Sequence, residues 1–143
     1  MLGKRSNMKT FGTISVVLAV WLLAGCATTD TAKTLTVFDN NKQINLVVGQ
    51  SFVVQLASNP TTGYRWIYRQ EGTAFLEPVG EPRYQVGPAP IGMVGSGGTE
   101  YFTFKTTNAG EQTLKLEYCR PFERDVAPVQ TVTYDLVVGG KGQ

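Results

Sequence analysis

The chain has 143 residues, with 13 Lys plus Arg against 11 Asp plus Glu, two Cys and no His, which suits one globular domain and a short extra segment. The absence of His excludes Ser-His-Asp and Cys-His catalysis and every His-ligated metal site. With 42% hydrophobic and 17% charged residues, the chain is neither disordered nor a nucleic-acid binder with a surplus of positive charge.

Lys4, Arg5 and Lys9 precede an almost unbroken apolar run over the 14 residues 11–24, through Val16, Val17, Leu18, Trp21 and Leu22. Such a run is short of the roughly 20 residues that cross a bilayer as a helix, and it ends in small residues, so 1–25 is expected to be a signal peptide. Leu23, Ala24, Gly25 and Cys26 resemble a bacterial lipobox, which implies that Cys26 is diacylated and becomes the new first residue. Residues 26–33 then make a lipidated Cys and a small, polar tether. Ala27, directly after that Cys, implies a lipid anchor in the bacterial cell envelope, at the outer membrane. Removing the leader leaves ten basic against eleven acidic residues, so the basic character of the chain belongs to the leader. A lipidated Cys26 also leaves Cys119 an unpaired, buried or half-buried thiol, and a core must supply the stability of the remaining 118 residues.

Beyond Lys33 the apolar residues recur with period two, which predicts strands and essentially no helix. Leu35 and Val37, then Ile44, Leu46 and Val48, are expected to form a hairpin turning at Asp39, Asn40 and Asn41. Phe52, Val54 and Leu56 share one face of the next strand; Tyr64, Trp66 and Tyr68 share a face of another. Tyr101, Phe102, Phe104 and Thr106 mark a fifth strand, Leu114, Leu116 and Tyr118 a sixth, and Val132, Tyr134, Leu136 and Val138 a last one. Asn108, Ala109 and Gly110 are expected to close a hairpin between the fifth and sixth. Seven to eight strands in this length predict an all-β, immunoglobulin-like antiparallel β-sandwich, with a barrel as the alternative. Trp66, Phe52, Phe102, Phe104 and Tyr134 would fill its centre.

Three connections ask for explanation. Asn59, Pro60, Thr61, Thr62, Gly63 and Tyr64 join two strands with little backbone freedom, since Pro60 fixes its own φ, the threonines are β-branched and Gly63 permits a positive φ. They form a stiff, uncharged tip that would lose little entropy on docking. Gly87 to Gly98 is long and Gly-rich around Ile91, Met93 and Val94. Its glycines nearly spell a phosphate-binding loop, but Gly98 stands where that loop needs Lys and a strand follows where a helix should, so nucleotide binding is rejected. Arg120, Pro121 and Phe122 open the third connection, with Phe122 as a candidate anchor. Glu77 with Glu81, or Glu123 with Asp125, read as solvated loop charges rather than a catalytic pair. The composition calls for no cofactor, and no spacing suggests a metal site.

Asn59-Pro60-Thr61-Thr62-Gly63-Tyr64, then Met93-Val94-Gly95-Ser96-Gly97-Gly98, then Arg120-Pro121-Phe122, in that order, resemble the chagasin family of cysteine peptidase inhibitors. The resemblance departs at Phe122, where the family usually has Trp. It implies an inhibitor domain over 34–139 with a tail over 140–143, and a reversible block of papain-like or cathepsin L-like peptidases. Thr61 and Thr62 would sit over the catalytic Cys, with the Gly-rich and Arg-Pro-aromatic loops straddling the cleft. The domain is expected to be a non-enzymatic monomer whose partners are the peptidase and the membrane lipid. The rival reading is a non-inhibitory envelope lipoprotein with a binding or adhesion module.

Overall fold

The computed structural model describes residue 3 and residues 32–70, 75–88, 95, 97–123 and 125–140. Residues 1–25, apart from Gly3, the expected lipidation site Cys26 and the tether up to residue 31 lie outside these. Within the described residues the chain forms nine strands: β1 (Lys33–Leu35), β2 (Lys42–Val47), β3 (Ser51–Ser58), β4 (Arg65–Arg69), β5 (Leu76–Pro78), β6 (Arg83–Val86), β7 (Gly98–Thr106), β8 (Gly110–Cys119) and β9 (Gln130–Gly139). One sheet runs β1, β3, β7, with β5 and β6 sharing the far edge of β7; the other runs β2, β9, β8, β4.

The period-two pattern decides which faces meet. Phe52, Val54 and Leu56 of β3 and Phe102 and Phe104 of β7 point inward from the first sheet. Leu114 and Leu116 of β8 and Val132, Tyr134, Leu136 and Val138 of β9 point inward from the second, and Trp66 closes the β4 side. Phe52 and Phe104 stack at 5.6 Å between ring centroids, and Tyr68 meets Phe104 edge-on at 5.0 Å. Each large side chain so buried is worth about 1.5–3 kcal/mol, which replaces the disulfide this domain does without; Cys119 is a free, half-buried thiol.

The expected two-sheet sandwich is therefore present, and neither sheet closes into a barrel. It differs from expectation in detail. Nine strands form instead of seven or eight, because β5 and β6 are short, mostly exposed pieces, the first ending in Pro78, that show no buried alternation. Two pairings are parallel, β1 with β3 and β2 with β9. The first expected hairpin does not form. Thr36 caps a 3-10 turn over Val37–Asp39, its N–H donating to Asp39 Oδ2 at 2.9 Å, and the chain crosses to the second sheet. There Asn40 Oδ1 accepts from Thr133 N–H at 2.7 Å. The second expected hairpin, at Asn108 to Gly110, is likewise an arch between sheets. Both edges of β7 are already taken by β3 and by β5 and β6, so β8 pairs with β9 and β4 instead.

Candidate functional site

β3 ends and β4 begins at one pole of the sandwich, and β8 ends and β7 begins at the same pole. This topology brings the three singled-out segments together. The segment 59–64 crosses from the first sheet to the second. Its centre is a single 3-10 turn, Pro60–Thr62, with Pro at the first turn and Gly63 closing it at φ +81°. Pro suits that first position because its missing N–H would have had no intrahelical acceptor.

The loop is hydrogen-bonded to itself. Thr62 N–H donates to Asn59 O at 3.1 Å and Gly63 N–H to Pro60 O at 3.0 Å. Thr61 Oγ1 donates to Asn59 Oδ1 and Thr62 Oγ1 to Asn59 O, both at 2.6 Å. The two exposed threonines thus use their hydroxyl protons internally and keep oxygen lone pairs available as acceptors. Asn59 is the hub. Its side-chain amide donates to Gly95 O at 3.1 Å, and its backbone N–H donates to the Tyr118 hydroxyl at 2.9 Å.

The flanking segments touch opposite halves of this turn. Gly95 lies against the first half, where a Cβ on it would sit 3.7 Å from Thr61 Oγ1. Gly97 and Gly98 lead into β7, with Gly98 opposite Ser58 on one side and Val86 on the other. A Cβ at Gly98 would fall 2.2 Å from Gln85 O, so only glycine lets β6 approach there. Met93, Val94 and Ser96 of the same expected loop lie outside the described residues. Against the second half, Phe122 presents its ring edge 3.3 Å from where a Gly63 Cβ would be, and the ring is 70% exposed. Phe122 is therefore a surface group rather than a lid over the core. Arg120 places its guanidinium 4.5 Å above the Tyr64 ring and pairs with Glu123 at 2.9 Å. That bond to Glu123 is the main cause holding the guanidinium above its ordinary pKa. Pro121 is exposed beside them.

The resulting surface has a neutral tip, and the Arg120 beside it is already paired with Glu123. Tyr64 is half-buried; it stacks on Tyr118 at 5.4 Å, and Tyr118 in turn contacts Trp66 at 5.0 Å, so an aromatic column ties the loop to the core. Sequence reasoning placed Tyr118 in a strand without a role, because its hydroxyl partner Asn59 is 59 residues away. Glu100 was also missed. It stands at the inward parity of Phe102 and Phe104, and a carboxylate at an inward position was the available signal.

The sequence profile of Chagasin family peptidase inhibitor I42 matches residues 45–138. The chain belongs to this chagasin family. Chagasin of Trypanosoma cruzi is 36% identical over 87 residues, covering 58% of this chain and 76% of that protein. Amoebiasin-2 of Entamoeba histolytica is 29% identical over 104 residues, covering 73% of this chain and 83% of that protein. Among solved structures, the cysteine protease inhibitor EhICP2 from Entamoeba histolytica is similar with a TM-score of 0.67 at 28% identity, over 76% of this chain and 96% of the other. The span matched by the chagasin family profile contains all three converging segments.

Proposed function

We propose that this member of the chagasin family is a reversible inhibitor of papain-like cysteine peptidases, with the 59–64 turn entering the active-site cleft between two flanking loops. The observation that carries this reading is the prebuilt, uncharged turn with Gly95 on one half and Arg120 and Phe122 on the other. A thiolate–imidazolium pair is best met by a small neutral group, since a charged tip would be desolvated beside it at several kcal/mol. Thr61 and Thr62 satisfy that demand, and their free lone pairs can accept from the imidazolium.

The same turn accounts for resistance to cleavage. A thiolate attacks a carbonyl of an extended strand held in near-attack geometry. Here the chain is curled, and the Asn59 and Pro60 carbonyls already accept hydrogen bonds within the loop. Pro60 also lacks the N–H that an extended substrate would offer. An interface of this type buries on the order of 1,600 Å² in total and reaches nanomolar affinity when its anchors fill pockets.

The lipid anchor belongs to the same proposal. A diacylated Cys26 would hold the domain at the cell envelope, and the fold is compatible with presentation outward. Lys33 enters opposite Phe52, while the wedge leaves from Ser58 at the other end of β3. Six residues of strand, about 20 Å, separate the two, so the turn points away from the anchored end. Residues 27–143, expressed without the leader, are to be titrated against papain, a cathepsin L-like enzyme and a serine peptidase. Tight-binding inhibition of the first two alone is expected, and full papain activity at micromolar protein refutes the reading. Loss of membrane association and of labelled fatty acid in Cys26→Ser tests the anchor.

A further inference from the structure

Glu100 is the one charged residue among the buried described side chains, at 7% exposure. It stands on β7, opposite Leu56 of β3 and Tyr84 of β6. β4 is the edge strand of the other sheet, and its Trp66 N–H has no strand on its open side. Glu100 Oε2 reaches across and accepts from that N–H at 3.1 Å. The Ser58 hydroxyl faces the same carboxyl; it is buried and makes no well-formed hydrogen bond of its own. Ser58 is the last residue of β3 before the wedge, and Trp66 is the second residue of β4 after it. A buried polar group without a partner is costly, and the Glu100 carboxyl is the group toward which the Ser58 hydroxyl can turn its own proton.

We propose that Glu100 is a positioning residue for the inhibitory turn, its buried carboxyl joining the incoming stem at Ser58 to the outgoing stem at Trp66 and so fixing the angle at which 59–64 stands. The inference rests on the inhibitor reading for its functional consequence, but the clamp itself is a property of the fold. In the acid form the carbonyl oxygen accepts from Trp66 N–H while the O–H donates to Ser58 Oγ, and both stems are tied. In the ionised form one carboxylate oxygen accepts from Trp66 N–H and the other can accept the Ser58 hydroxyl's own proton, so both protonation states tie the two stems. Burial raises the carboxyl above its ordinary range, opposed by the Trp66 bond, by the charge of Arg65 and by Ser58. The other ionisable groups around it are Tyr84 and Glu81, which line the same cavity of about 320 Å³ beside Pro60. With a raised folded pKa, the buried carboxyl favours the folded state most below pH 4.5, and that advantage is lost as the pH rises through the folded value and the carboxylate is held away from water.

Three variants test this. Glu100→Gln keeps an acceptor for Trp66 and adds a permanent donor for Ser58, so it mimics the acid form. Glu100→Leu removes both. Inhibition of papain is expected to weaken at least tenfold in Glu100→Leu and to stay within about threefold in Glu100→Gln. The ratio of wild-type to Glu100→Gln inhibition constants, in which the titration of the enzyme cancels, is expected to stay flat with pH, because both protonation states hold the two stems. Gln and Leu variants that are weakened alike, or a folded Glu100→Leu protein that inhibits like the wild type, overturn the inference. If Glu100→Leu does not fold, Ser58→Ala takes its place: weakened inhibition supports the clamp and unchanged inhibition refutes it. If the wild type fails to inhibit, the inhibitor reading falls alone. Amide exchange at Trp66, Thr62 and Gly63 then decides, with faster exchange in Glu100→Leu, or in Ser58→Ala if that variant does not fold, than in the wild type expected and equal exchange refuting.

Discussion

Gly63 closes the 3-10 turn at φ +81°, and a Cβ placed there would meet the Phe122 ring edge at 3.3 Å. Two costs follow for any substitution. The left-handed backbone costs an L-residue about 1–2 kcal/mol, and a β-branched side chain is worse placed there than Ala. The ring contact adds little directly, because Phe122 is exposed and can swing away, yet that swing displaces a proposed anchor. If the turn relaxes rather than holding the strain, 1–2 kcal/mol appears as a 5- to 30-fold loss of inhibition, roughly. Gly63→Ala is therefore expected to raise the papain inhibition constant about tenfold and Gly63→Val further. Gly80 supplies the control, since it sits at φ +71° with nothing within 4 Å of its Cβ position and belongs to none of the three converging segments. Gly80→Ala should lower Tm by roughly 4 °C per kcal/mol with inhibition unchanged. A folded Gly63→Val protein that inhibits papain like the wild type would refute the reasoning.

Phe122→Ala should leave thermal stability within about 0.5 kcal/mol, as for other exposed positions, while weakening inhibition tenfold or more; Phe122→Trp should strengthen it, and both are read from inhibition titrations beside thermal melts. Phe104→Ala empties the centre of the sandwich and should cost about 3–5 kcal/mol, a fall in Tm of more than about 10 °C. The Tyr134 hydroxyl donates to Thr36 O at 3.0 Å, and burial, helped by the nearby Asp39 charge, pushes its pKa from 10.0 to about 12. Because the folded state holds this proton more tightly, its contribution is intact below pH 10 and is lost as the pH rises toward 12. Ultraviolet titration of tyrosinate should show a late step that Tyr134→Phe removes, and a wild type whose tyrosines all ionise near 10 while folded would contradict it.

Much of this was legible in the chain itself. Period-two alternation set the inward faces of β3, β7, β8 and β9, because one buried face per strand constrains every second residue. The chemistry of Asn59 to Gly63 announced a stiff turn, since Pro and Gly act through local backbone sterics that need no partner. What only the tertiary structure decided was pairing. Two short, polar connections that suit hairpins instead cross between sheets, since a strand's hydrogen-bond partner depends on which edges are already occupied and not on its own residues. The meeting of Asn59 with Gly95 and Tyr118, of Gly63 with Phe122, and of Glu100 with Trp66 likewise spans 34 residues or more. Local sequence carries the preferences of each segment, whereas long-range contacts arise only when all the apolar faces are buried at once.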